Sequence, residues 1–309
     1  MPIVNTEIPI TSKSCEQMLR QIAKTYPFAR LRQVGTTDFQ RPIWMLTVGT
    51  GKRKVLFTAA HHANEWITAL VLLKYAEDLC RAIQTEGVLF GQRAKEMAEA
   101  VTIHLVPMVN PDGVDLVTEA IPQDSAQYEM AKSIASQYPA IAFPDGWKAN
   151  LLGVDLNLNY PAGWLQAREI KFSQGFTRPA PRDYVGRSPL SQMETQSLAE
   201  LTEELDPDLV LAYHSQGKEI YWKFKDYFVP GAEELGQVMA RVSGYTLADT
   251  SYESAFAGYK DWFIQRYRRP GYTIEVGTGE NPLPLSQFPE IYRDNVPLLN
   301  ISAIGINNS

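Results

Sequence analysis

Val55-Leu56-Phe57-Thr58-Ala59-Ala60-His61-His62-Ala63-Asn64-Glu65-Trp66 is the stretch on which the reading of this chain turns. Its first half is an apolar run of strand length. Beyond it, apolar side chains recur at Trp66, Leu70, Leu73, Ala76, Leu79 and Ile83. That spacing predicts a helix over 64–84. A strand therefore ends at the histidines and a long helix begins at Asn64. His62 and Glu65 stand three apart across that turn. A neutral imidazole and a carboxylate, held on rigid backbone and pointing to one side, make two-thirds of a catalytic zinc site.

The bulk numbers limit what such a site could serve. A chain of 309 residues, 45% of them hydrophobic, can bury a large core. The net charge of −6 argues against a nucleic-acid partner, which would need a basic stripe. No run reaches the roughly 18 apolar residues of a membrane span, so no membrane partner is expected. The opening residues Met1-Pro2-Ile3-Val4-Asn5-Thr6-Glu7 lack the basic and apolar regions of a signal peptide. Cys15 and Cys80 have no metal spacing and read as free core thiols. With no wall-anchoring repeat, these features favour the cytoplasm. The alternative is a secreted or wall-associated protein whose leader was trimmed.

Along the chain, helices are predicted over 12–25, 91–99, 125–138, 231–243, 259–268 and 290–307. A further helix is predicted from the capping-box spacing of Ser191 and Glu194 to about Glu204. Strands are predicted over 41–49, 53–60, 101–109, 208–213, 219–224 and 271–276. Gly49-Thr50-Gly51 reads as a hairpin-type turn between the first two, and Pro111-Asp112-Gly113 as a turn. Residues 161–190 hold many Pro, Gly and Arg with little periodicity, and a loop of that length is usually functional. Strands alternating with helices of crossover length predict an α/β fold. It is a three-layer αβα architecture in one domain, residues 1–309, with a central mixed, mainly parallel sheet flanked by helices. Sites in such sheets lie at the carboxyl ends of strands. His62, Asn110, His214 and Glu275 all fall at or just past predicted strand ends.

Seven short motifs now occur in order: His62-Ala63-Asn64-Glu65-Trp66-Ile67-Thr68; Val109-Asn110-Pro111-Asp112-Gly113; Gly153-Val154-Asp155-Leu156-Asn157; Tyr184-Val185-Gly186 with Pro189-Leu190-Ser191; His214-Ser215; Asp261-Trp262; and Ile274-Glu275. Together they resemble the zinc metallocarboxypeptidases of the carboxypeptidase A type. Within that family the chain looks most like the γ-D-glutamyl-diaminopimelate peptidases, which cut bacterial cell-wall peptides. Trp147-Lys148-Ala149-Asn150 and His214-Ser215-Gln216-Gly217 before Glu219-Ile220-Tyr221-Trp222 carry this finer likeness.

The resemblance implies one Zn2+ per chain, held by His62, Glu65 and His214, with one position left for water. It implies Glu275 as the general base, which takes a proton from water and delivers it to the leaving amine. The alternative for Glu275 is a solvated strand-end carboxylate. Asp155 matches the residue that orients a ligating histidine, or it is a turn-capping Asp. Lys148 stands where the family carries an oxyanion-steadying arginine, or is a solvated loop lysine. Tyr252 matches the mobile tyrosine, with one residue of extra spacing that leaves Tyr259 open. His104 reads as structural, and His61 as packing behind His62.

Departures from the family bear on substrate. Asn157 keeps the asparagine that helps bind a terminal carboxylate, but Leu158 replaces the arginine beside it. Without a bidentate guanidinium the grip on a free C-terminal carboxylate is lost. Lys260, at the base of the specificity pocket, with Glu219 nearby, would complement the carboxylate and amine of diaminopimelate. Both could instead be surface charges. The resulting expectation is hydrolysis of the γ-D-glutamyl–meso-diaminopimelate bond in a peptidoglycan-derived peptide. The rivals are a carboxypeptidase removing C-terminal acidic residues and a non-catalytic peptide-binding module.

Overall fold

The computed structural model describes residues 2–305. Its helices are α1 (Ser12–Thr25), α2 (Ile67–Gln84), α3 (Ala94–Ala100), α4 (Pro111–Val117), α5 (Ala126–Ala135), α6 (Trp164–Ser173), α7 (Met193–Leu205), α8 (Ala232–Ser243), α9 (Tyr259–Tyr267) and α10 (Phe288–Ile304). The strands are β1 (Arg30–Thr36), β2 (Pro42–Val48), β3 (Arg53–Ala59), β4 (Val88–Leu89), β5 (Gln92–Arg93), β6 (Val101–Val106), β7 (Leu209–His214), β8 (Glu219–Tyr221), β9 (Thr246–Ala248) and β10 (Gly271–Glu275). Eight of them form one sheet in the order β1-β2-β6-β3-β7-β10-β8-β9, and β4 pairs only with β5. The neighbours β6, β3, β7 and β10 run parallel, while β1, β2 and β8 add antiparallel pairs.

The apolar runs become central strands because both faces of the sheet are covered. Val55, Phe57 and Ala59 of β3, with Leu209, Leu211 and Tyr213 of β7, enter one core against α1, α2 and α10. Leu56, Val210 and Ala212 point the other way, into a core with α7 and α9. This is the three-layer arrangement expected. No helix among the described residues is long and apolar enough to cross a membrane.

Several local expectations need correction. β2 and β3 are not a hairpin, because β6 lies between them. The Gly49-Thr50-Gly51 turn packs directly on the end of α3, where a Cβ on Gly51 would sit 2.0 Å from the Ala100 carbonyl carbon. Thr50 N–H donates to Ala98 O at 2.8 Å, and the Thr102 hydroxyl to Gly51 O at 2.7 Å. The turn thereby admits the start of β6 as the neighbour of both strands.

Pro111-Asp112-Gly113 is not a turn but the first turn of α4. Asn110 Oδ1 caps it by accepting from Gly113 N–H at 3.0 Å, and Pro111 needs no N–H there. The segment 161–190 contains α6, which buries only Trp164, Ala167 and Lys171, a stripe too narrow to show as periodicity. The helix from 193 has Gln192 at its cap without a side-chain bond. Ser191 N–H and the Thr195 hydroxyl instead both donate to Asn159 Oδ1. The helix expected at 91–99 begins later, at Ala94, behind the small β4–β5 hairpin. The last helix is described to Ile304, and positions 306–307 of that expectation lie outside the described residues.

Candidate active site

Sheet register brings distant residues together. β7 and β10 are parallel neighbours, and their last residues, His214 and Glu275, are register partners. Glu219, at the start of antiparallel β8, faces Glu275 from the other side. β3 ends one strand over, so the turn that follows it delivers His62 and Glu65 to the same edge. Ala63 N–H donates to Lys148 O at 3.0 Å, which ties the lysine's loop to that turn.

His62 Nδ1 lies 2.8 Å from Glu65 Oε1, His214 Nδ1 lies 2.9 Å from Glu65 Oε2, and the two Nδ1 atoms are 3.1 Å apart. All three side chains are buried. His62 Nε2 lies 3.0 Å from Asp155 Oδ1. If it donates that proton, Nδ1 is left with its lone pair aimed at the other two ligands. The three residues offer atoms within 4.8 Å of one another. Two imidazole nitrogens and a carboxylate oxygen converging on one buried point fit a zinc ion, with room for a fourth ligand.

The electrostatics agree with that fit. Burial opposes charge on Glu65, but His62, Lys148 and His214 outweigh it and hold the carboxyl well below its usual range. Burial likewise lowers proton affinity at His62, yet Glu65 and Asp155 raise it to about 9. The carboxylates thus make this point favourable to a positive charge, and a bound cation would compete with the His62 proton for it. Burial lowers the proton affinity of His214, which favours the neutral form a metal ligand needs. Asp155 is held below the ordinary carboxylate range despite its burial, because His62 and Lys148 favour its anion. It also accepts backbone N–H bonds from Asn157 at 3.2 Å and Asp183 at 3.3 Å.

A cavity of about 360 Å³ opens beside the cluster, lined by His62, Lys148, Asp155, Asn157, Leu158, Glu219, Lys260 and Glu275 among others. Burial and the nearby Glu65 push the Glu275 carboxyl up to about 8. Lys148 Nζ stands 3.5 Å from Glu65 Oε1, and Glu65 and Asp155 keep it protonated against the cost of burial. Lys260 is on the wall, but its ammonium is spent on Asp261 Oδ1 at 2.5 Å and Lys223 O at 2.7 Å. Glu219 Oε2 accepts from the Tyr221 hydroxyl at 2.5 Å. Asn157 Oδ1 accepts from Tyr259 N–H, and Leu158 is a buried part of the wall.

The remaining candidates are placed less centrally. Tyr252 is 67% exposed and packs edge-on against Phe256, outside the cavity wall. Tyr259 is fully buried, its hydroxyl 2.8 Å from that of Thr202, so it cannot swing over a substrate. His61 stacks on His214, and His104 bonds Thr47 inside the sheet. The cysteines are free and buried. Sequence reasoning missed Lys171, Arg182, Asp183 and Tyr221, all on the cavity wall. The only signal for the first three was the aperiodic, arginine-bearing segment that holds them.

The zinc carboxypeptidase profile matches residues 15–298. Gamma-D-glutamyl-L-diamino acid endopeptidase 1 of Lysinibacillus sphaericus is 38% identical over 89% of this chain and 67% of its own length. The uncharacterized protein YqgT of Bacillus subtilis is 37% identical over 90% of this chain and 72% of its own length. The crystal structure of thrombin activatable fibrinolysis inhibitor superposes with a TM-score of 0.76 at 16% identity, covering 98% of this chain and 76% of the other, which shows the fold. On this extent of match the chain belongs to the zinc carboxypeptidase family and is a metallopeptidase.

Proposed function

We propose that the protein hydrolyses the γ-D-glutamyl–meso-diaminopimelate bond of peptidoglycan stem peptides. The observation that carries this reading is the wall beside Asn157. Leu158 offers no charge there, and Lys260 is neutralised by Asp261. Neither Leu158 nor Lys260 supplies the dedicated cation that a C-terminal carboxylate clamp needs, so this wall does not require a free carboxylate and can take diaminopimelate with or without a further amide. Glu219 and its neighbours supply negative charge for the second amine. The Lysinibacillus relative bears a γ-D-glutamyl-L-diamino acid endopeptidase name, which supports the same substrate class.

In this reading His62, Glu65 and His214 hold one zinc ion. Bound there, zinc would supply Lewis acidity toward a water molecule and the scissile carbonyl. Glu275 takes a proton from the attacking water and passes it to the leaving amine. Glu275 lines the same cavity as His62 and Lys148, as that role requires. Lys148 faces the oxyanion that forms, although an ammonium lacks the planar fork of a guanidinium. Asp155 fixes the tautomer of His62, and Asn157 orients the leaving group. The free thiols Cys15 and Cys80 favour a reducing compartment as the place of work.

Parallel assays with L-Ala-γ-D-Glu-meso-diaminopimelate and hippuryl-Glu test the substrate choice. The cell-wall peptide is expected to be cut and hippuryl-Glu to be spared. The reverse pattern would establish an acidic carboxypeptidase instead.

A further inference from the structure

A second cavity meets the first at Lys148, Arg182, Tyr221 and Glu275. The first holds Asn157 and Leu158 and is the leaving-group side on the reading proposed above. The second runs past Ser215 and Asn281 and is therefore the acyl side. A glutamyl residue joined through its γ-carboxyl keeps its own α-carboxylate free, on the acyl side and a few bonds from the scissile carbon. An ordinary α-peptide brings no such anion. We propose that Arg182 binds this α-carboxylate and so selects γ-linked glutamyl peptides. The inference rests on the proposed substrate class and adds the residue that reads its acyl half.

The local charge balance singles Arg182 out. Its Nε donates to Asp183 Oδ2 at 2.6 Å. Asp183 also pairs with buried Lys171 at 2.7 Å, so two cations share one carboxylate and one positive charge is left over. Lys260 has no such surplus, because Asp261 answers it, and Lys148 is turned toward Glu65 at 3.5 Å. Among the described residues, nothing accepts a hydrogen bond from the two terminal nitrogens of Arg182. Its side chain is 44% exposed where the cavities join. A guanidinium anchored at Nε, with both outer nitrogens free, is arranged to take a carboxylate through two parallel bonds. Asp183 is itself fixed, since its N–H donates to Asp155 Oδ2. The fork is thus held in register with the residue that orients His62.

The test measures kcat/KM of the zinc-loaded enzyme on L-Ala-γ-D-Glu-meso-diaminopimelate and on the same peptide with the glutamyl α-carboxylate as a carboxamide. Wild type is expected to prefer the carboxylate by roughly 10- to 100-fold, the span of a charge-assisted bidentate contact. In Arg182→Gln that ratio is expected to fall toward one, and Arg182→Lys to recover part of it. The ratio reads recognition whatever the variants do to overall activity. Cleavage of both peptides with no preference in wild type, or with the preference intact in Arg182→Gln, would overturn the inference and leave the function standing. A third peptide, amidated at the diaminopimelate carboxylate instead, is expected to show no Arg182-dependent change; a change confined to that peptide would also overturn the inference, by moving Arg182 to the leaving-group side. Failure of wild type to cut either peptide would overturn the function and the inference together.

Discussion

Asp155 shows how one residue serves three parts of the site. One carboxylate oxygen lies against His62, and its other contacts hold the backbone at Asn157 and Asp183. Asp155→Asn keeps the shape but can present its amide to His62 and reverse the tautomer. Zinc affinity is expected to fall about 10- to 100-fold, as for other partners of ligating histidines. Competition with a chromophoric chelator measures this, and unchanged affinity would show that Asp155 only caps its turn. At this scale the sequence was legible where a residue's chemistry conflicts with its surroundings. His62, His214 and Glu275 end apolar strands, and a polar group there needs a partner or a task. Lys260 was legible as a cavity residue but not as a neutralised one, since adjacency to Asp261 in sequence does not say whether the two side chains meet. Arg182 was illegible because its role depends on Lys171 and Asp183 sharing one charge.

Elements were read best where one strong periodicity fills them, as in α2 and in the paired cores flanking β3 and β7. β1 escaped notice because it is an edge strand with mostly polar, half-exposed residues. α4 and α6 escaped because a capping asparagine and a three-residue stripe leave little pattern. The start of α7 carries a consequence for stability. Glu194 in its first turn is buried, and burial pushes its carboxyl up to about 8 despite a hydrogen bond from Asn150. The folded protein therefore keeps a proton there that the unfolded chain releases near pH 4.5. Stability from this group is full below about pH 4.5 and is lost as pH rises toward 8. Glu194→Gln, which cannot ionise, is expected to gain on the order of 1–2 kcal/mol over wild type at pH 8 and little at pH 4.5. Thermal melts of both proteins across that range check it, and a difference that does not grow with pH would contradict the assignment.

For the molecule as a whole, the mainly parallel sheet explains why the candidate active-site residues are scattered over more than 200 positions and still meet. Parallel strands all end on one side, so β3, β7 and β10 deliver His62, His214 and Glu275 to a single edge. Both cores share that sheet, and we propose residues 1–309 as one catalytic domain; two separate calorimetric unfolding transitions would speak against it. The order of strands was not legible, because the sequence gives no sign that β6 enters between β2 and β3. The close packing of Gly51 on the end of α3, which accompanies that order, is a tertiary contact.

The central claim is zinc-dependent cleavage of a γ-D-glutamyl bond with Glu275 as base. Mass spectrometry of L-Ala-γ-D-Glu-meso-diaminopimelate incubated with zinc-loaded wild type, chelator-stripped wild type and zinc-loaded Glu275→Gln tests it most directly. L-Ala-D-Glu and free diaminopimelate should form with the first, stop with the second and return on adding zinc. With Glu275→Gln, at equal zinc content, they should form roughly 10²- to 10⁴-fold more slowly. An intact peptide after incubation with zinc-loaded wild type, or an undiminished rate in Glu275→Gln, would refute the claim.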